Sequence, residues 1–187
     1  MKQVLIGALL AGIAVYTWET VAHVVLPLGA TGVQALPDED PVIEAMRAAI
    51  PEPGLYLIPG IDMAASPTEA ELEAWQARYE AGPMAFLVYR PDGGQAMSPA
   101  QLGIQFAIDL LAALVAALVL RRTTGSYLGR ATLVGLIGVF SWLVGDVPHW
   151  NWYRFPSDFT GAAAIIRIVG WTAAGLVLAA VVKPPQR

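Results

Sequence analysis

Four long, nearly uncharged apolar stretches, residues 4–26, 102–120, 131–147 and 161–182, constrain this chain more than anything else in it. A bilayer core about 30 Å thick is crossed by roughly 20 apolar residues of helix, each rising ~1.5 Å. Inside it, only a helix or a closed barrel satisfies every backbone polar group. The fold expected is therefore mainly α, a four-helix transmembrane bundle. Hydrophobic residues make up 56% of the 187, and these runs account for the excess over an ordinary soluble domain. Each run is punctuated. Pro27 and Gly29 end the first, and Ser98-Pro99-Ala100-Gln101 reads as a capping box with proline at the first helical position of the second. Pro148 closes the third, and Pro184 and Pro185 follow the fourth. The first run follows Lys2 as a signal peptide would. It is longer than a typical h-region, continues through Trp18 and Glu19, and lacks a small-x-small cleavage site, so it is read as a retained span.

Orientation follows from lysine and arginine in the short flanking segments. Lys2, the trio Arg121, Arg122 and Arg130, and the tail residues Lys183 and Arg187 fall on one side of a four-span chain, against Arg154 alone in the short loop opposite. Both termini are thus expected in the cytoplasm. The division is span one in 1–29, an acidic extracytoplasmic α/β cap in 30–100 and span two in 101–120. A basic cytoplasmic loop (121–130), span three (131–147), an aromatic extracytoplasmic loop (148–160), span four (161–182) and a cytoplasmic tail (183–187) complete it.

The cap holds eleven acidic residues against Arg47, Arg78 and Arg90, a net charge of −8, and should stand clear of anionic headgroups. Val42, Ile43, Met46 and Ile50 lie at helical spacing over 41–50. Ser66-Pro67-Thr68-Glu69 reads as a second capping box, opening a helix to about Ala81. The runs LYLI at 55–58 and AFLVY at 85–89, bounded by Pro and Gly, predict one strand pair crossed by a helix.

Composition excludes several functions. Without cysteine there are no disulfides, thiolate metal sites or cysteine nucleophiles. A net charge of −4 with no basic cluster sets nucleic acid aside. P-loop, G-x-G-x-x-G, H-E-x-x-H and G-x-S-x-G patterns are missing, so no catalytic residue is assigned.

Ionisable groups within spans are costly and mark buried sites or cavities. Here Glu19, His23, Asp109, Asp146, His149 and Arg167 all fall in the outer half, with Gln101, Gln105 and Asp109 as a stripe at i, i+4, i+8. Proton or ion transfer would need such groups to continue inward, and none do. Asp109 and Arg167 come out at matching depths and are expected to form a structural ion pair. Small residues continue these faces inward: Gly7, Ala8, Ala11, Gly12, Gly135, Gly138, Gly170 and Ala174. Two readings of the cluster stay open. In one, it fixes helix register and docks the cap. In the other, Glu19, His23, Asp146 and His149 hold a divalent metal, carboxylate and imidazole suiting zinc or another non-haem metal; a haem held between His23 and His149 is a further form of that idea. The loop carrying Trp150, Trp152, Tyr153, Arg154 and Phe155 reads either as an interfacial aromatic belt or as a partner contact or lipid-tail groove, and Ser157, Asp158 and Thr160 as caps for span four.

The segments HVVLPLG at 23–29, GLYLIPG at 54–60, Gly82-Pro83 leading to LVYRP at 87–91, and WNWYRFP at 150–156 together resemble a group of uncharacterised bacterial four-span integral membrane proteins. The resemblance covers nearly the whole chain. It implies the four-span architecture and a bacterial plasma membrane location, and brings no activity with it. The function expected is a non-enzymatic accessory or scaffold subunit that meets the lipid bilayer along its spans and another membrane or periplasmic protein through its outer face. Metal binding is the alternative.

Overall fold

A computed structural model describes residues 1–184; Pro185 and the tail cation Arg187 lie outside the described residues. Four of its helical segments are long and apolar enough to cross a membrane: Lys2–Val25, Pro99–Leu120, Tyr127–Tyr153 and Ser157–Val181. The described residues divide into two compact units, 1–34 with 97–184, and 35–96.

The first unit is helical. Helix α1 (Lys2–Thr20) runs into a π-helical turn at Val21–Val25, closed by a hydrogen bond from the Leu26 N–H to the Val21 carbonyl at 2.9 Å. Its other long helices are α4 (Pro99–Leu120), α5 (Tyr127–Gly145) and α7 (Ser157–Val181), with the short α6 (Val147–Tyr153) following α5. Ser98 and Gln101 form the expected reciprocal box at the start of α4, with Pro99 in the first turn. The helices meet through small side chains at three- and four-residue spacing. Val4, Ala8, Ala11 and Val15 of α1, Ala113, Ala116, Ala117 and Leu120 of α4, Ala131 and Val134 of α5, and Ala174, Leu178 and Ala179 of α7 make one buried core. The most extensive contacts are α5 with α7 and α1 with α4 and α7, while α4 scarcely meets α5 or α7. Glycines set the closest approaches. A Cβ on Gly138 would sit 2.7 Å from the Arg167 carbonyl oxygen, one on Gly12 would sit 3.0 Å from the Leu110 Cα, and one on Gly175 would strike the Ala131 carbonyl.

Three boundaries differ from expectation. Helix α5 starts at Tyr127, capped by Ser126, and so takes in Arg130. That arginine is buried inside the helix instead of lying in a loop, and donates to the Leu120 carbonyl at the end of α4. Pro148 does not stop the third span. It falls in the first turn of α6, where a missing N–H has no helical partner to lose. The aromatic segment is accordingly a helix, ended by Arg154 in the left-handed region at φ 59°. Finally, α7 begins without a side-chain cap: Thr160 donates to the Pro156 carbonyl and Ser157 accepts from Trp150.

In residues 35–96, α2 (Asp40–Ala49) precedes β1 (Gly54–Ile58), and α3 (Glu69–Ala81) separates it from β2 (Ala85–Tyr89). The strands pair antiparallel, Gly54 opposite Tyr89 and Ile58 opposite Ala85. The Trp75 indole ties α3 to the end of β1 by donating to the Pro59 carbonyl at 3.0 Å. The second capping box is real but lies two residues later than expected, between Thr68 and Glu71, because Ser66 turns left-handed at φ 53° to close a preceding 3-10 turn. Thr68, chiefly through its backbone N–H, holds the Glu71 carboxyl below its ordinary value.

Candidate functional site

The polar residues of the spans gather at the end of the helical unit where α1 finishes and α4 begins. A carboxamide organises them. Gln105, half-buried on α4, donates from its Nε2 to Glu19 Oε2 on α1 at 3.1 Å and to Asp109 Oδ1, one turn along its own helix, at 2.9 Å. Two carboxylates thus share one donor group. Asp109 is 4% exposed, and its second oxygen has no hydrogen-bond partner among the described residues.

Arg167 does not pair with Asp109 as matching depth suggests. Its Nε donates to Asp146 Oδ2 at 2.7 Å, and Nη2 lies 3.4 Å from Oδ1. The reason is azimuth. Arg167 belongs to α7, which packs on α5, whose C-cap is Asp146; α4, carrying Asp109, barely touches α7. Depth along a span says how far in a charge lies, and nothing about which neighbour it faces. The close approach at Gly138 brings the backbone of α7 onto α5 at Arg167 itself, which fixes the geometry of the pair.

His23 lies in the π turn. Its Nδ1 is 2.8 Å from the Glu19 carbonyl, which can only accept, so Nδ1 carries the proton and a neutral ring leaves Nε2 as an acceptor. The ring rests on Gly29, where a Cβ would lie 2.7 Å from Nε2. Around these groups is a cavity of about 290 Å³. Glu19, His23, Gln105, Asp146 and Arg167 give its polar lining, and Leu28, Phe159, Ala163 and Ile166 the rest. On the α4 side, Glu19, His23 and Gln105 also border a more apolar groove of about 430 Å³ with Tyr16, Val24, Met97 and Leu102.

The four candidate metal ligands are not brought together. Among the described residues, no three or more His, Cys, Asp or Glu side chains are placed to hold a metal ion. Glu19, His23 and Asp146 line the cavity but His149 does not. The His149 Nδ1 bonds the Gly145 carbonyl at 2.7 Å, and its ring packs on Tyr153 and Phe155, with centroids 5.9 and 5.3 Å away. Asp146, for its part, is engaged by Arg167. The haem reading needs both histidines at one centre, and His23 lines the cavity while His149 does not.

The aromatic residues divide. Trp142 donates to the Thr160 carbonyl of α7 and Trp150 to Ser157 Oγ, so both bind the protein to itself. Trp152, in contrast, is 72% exposed on α6. Trp18, which sequence reasoning passed over, donates to the Ile166 carbonyl beside Arg167 and latches α1 to α7 at the cavity. An indole near the far end of an apolar span was the available signal. Compared with family models, curated proteins and solved structures, the chain matches none.

Proposed function

We propose that the chain is a multi-pass protein of the bacterial plasma membrane that serves as a non-enzymatic accessory subunit of a membrane complex. Both termini face the cytoplasm in this reading, and residues 35–96 face outward. The basic ends of the spans support the orientation. Arg121 reaches the Met1 sulfur at 3.0 Å and Arg130 caps α4, so Lys2, Arg121, Arg122 and Arg130 share one end of the unit, opposite Arg154.

The observation that carries the subunit reading is the surface of α6. Trp152 and Trp150 are 72% and 45% exposed, next to Tyr153 and Arg154, and these residue types dominate the energetics of protein contacts. Trp150 is already fixed by Ser157, so this surface is ordered before anything binds it. Placing a photo-crosslinking amino acid at Trp152 in native membranes tests the reading. A discrete heavier protein adduct is expected, and one that weakens when Arg154 is changed to Ala. Adducts with lipid alone would reject the subunit role and leave Trp152 as an interfacial anchor.

A further inference from the structure

The cavity and the groove share one wall, made of Glu19, His23 and Gln105. On one side lies a polar chamber and on the other an apolar slot bordered by Tyr16, Val24, Met97 and Leu102. A site built this way suits a ligand with a polar head and an apolar tail, and charge and hydrogen bonding decide which head. Of the charged groups here, Arg167 is taken by Asp146 at 2.7 Å, which leaves that pair neutral. Glu19 and Asp109 remain, joined through one carboxamide that donates to both and neutralises neither. Arg167 and His23 also line the cavity, yet the one donates to Asp146 and the other to a backbone carbonyl. Asp109, only 4% exposed, keeps one oxygen with no donor, a costly arrangement in an apolar surround. The unmet needs are thus positive charge and N–H donors together.

We infer that this end of the helical unit binds an amphiphile bearing a primary ammonium group. The head lies in the polar chamber against Glu19 and Gln105, with Asp109 behind the same carboxamide, and the tail in the groove between α1 and α4. A primary ammonium offers three donors and a compact charge, whereas a quaternary ammonium offers the charge without a donor. With its Nδ1 proton on the Glu19 carbonyl, a neutral form of the His23 ring would present Nε2 as an acceptor for the third N–H. No protein partner at α6 is needed for this binding. Two sources share this chemistry, an ethanolamine-headed membrane lipid and a free long-chain amine.

The test is the thermal stability of the full chain in maltoside micelles as dodecylamine is added, with dodecanol and dodecyltrimethylammonium as controls. A saturable rise with dodecylamine alone is expected. Glu19→Gln should weaken the apparent affinity at least tenfold, and Asp109→Asn, which acts through the shared Gln105, by less. Leu102→Trp, which fills the groove and leaves the carboxylates in place, should also weaken it, and it serves if either polar variant fails to fold. An equal response to dodecanol would overturn the inference, as would a dodecylamine response unchanged in the folded variants. Reconstitution into nanodiscs with phosphatidylethanolamine or phosphatidylcholine, read by native mass spectrometry, separates the sources. Retained phosphatidylethanolamine that is lost in Glu19→Gln points to the lipid. Dodecylamine binding without lipid retention points to the free amine.

Discussion

At the scale of single residues, the instructive pair is Asp146 and Arg167. The sequence makes plain that an arginine within an apolar span must find a carboxylate, but three carboxylates lie at comparable depth. The choice among them depends on which helices pack together, and small residues along the spans, Gly138 beside Arg167 among them, decide that. Gln105 shows the same limit from the other side. Its place on a stripe with Asp109 was legible, but its reach across to Glu19 needs the α1–α4 contact. Coupling measures this directly. In a double-mutant cycle, Asp146→Asn and Arg167→Gln should be non-additive by about 0.5–1 kcal/mol, the low end of contact couplings because the arginine is 43% exposed. Asp109→Asn with Arg167→Gln should add within about 0.3–0.5 kcal/mol, as for sites with no shared partner. Unfolding in mixed micelles reads both, and coupling in the second pair instead of the first would refute the assignment.

Among elements, the spans and the strand pair were legible because long apolar runs and Pro/Gly boundaries act locally. The ends of α5 were not. Arg130 looks like loop punctuation in sequence, yet the open carbonyls at the end of α4 draw its guanidinium inward. Pro148 looks like a terminator and is instead a starter, since the same residue type stands both past last turns and inside first ones. The contact of α5 with α7 rests on glycine. Gly138→Ala should destabilise by about 1–3 kcal/mol, because the backbone oxygen of Arg167 cannot move aside as a side chain could. Gly145→Ala, with open space around its Cβ, should leave the unfolding midpoint nearly unchanged. Equal losses at both positions would show that helix flexibility, and not close approach, is what Gly138 provides.

For the whole molecule, the absence of cysteine from all 187 residues makes topology simple to measure. With Gln95→Cys, an impermeant maleimide should label intact cells; with Thr124→Cys it should do so only after permeabilisation. Both side chains are exposed, so reversed labelling would invert the proposed orientation. The hydrogen bonds along α7 have a mechanical consequence as well. Trp142, Trp18 and Tyr127 donate to the carbonyls of Thr160, Ile166 and Leu176, holding α7 at three levels over roughly 24 Å at ~1.5 Å per residue. Sliding α7 lengthwise would break all three together. Among the described residues, helix α4 has no such rivets to α7; it packs along α1 through small side chains, with Gln105 reaching Glu19. Helices α1 and α5 are thus cross-linked through α7, and a shift of α4 would leave all three of those bonds intact.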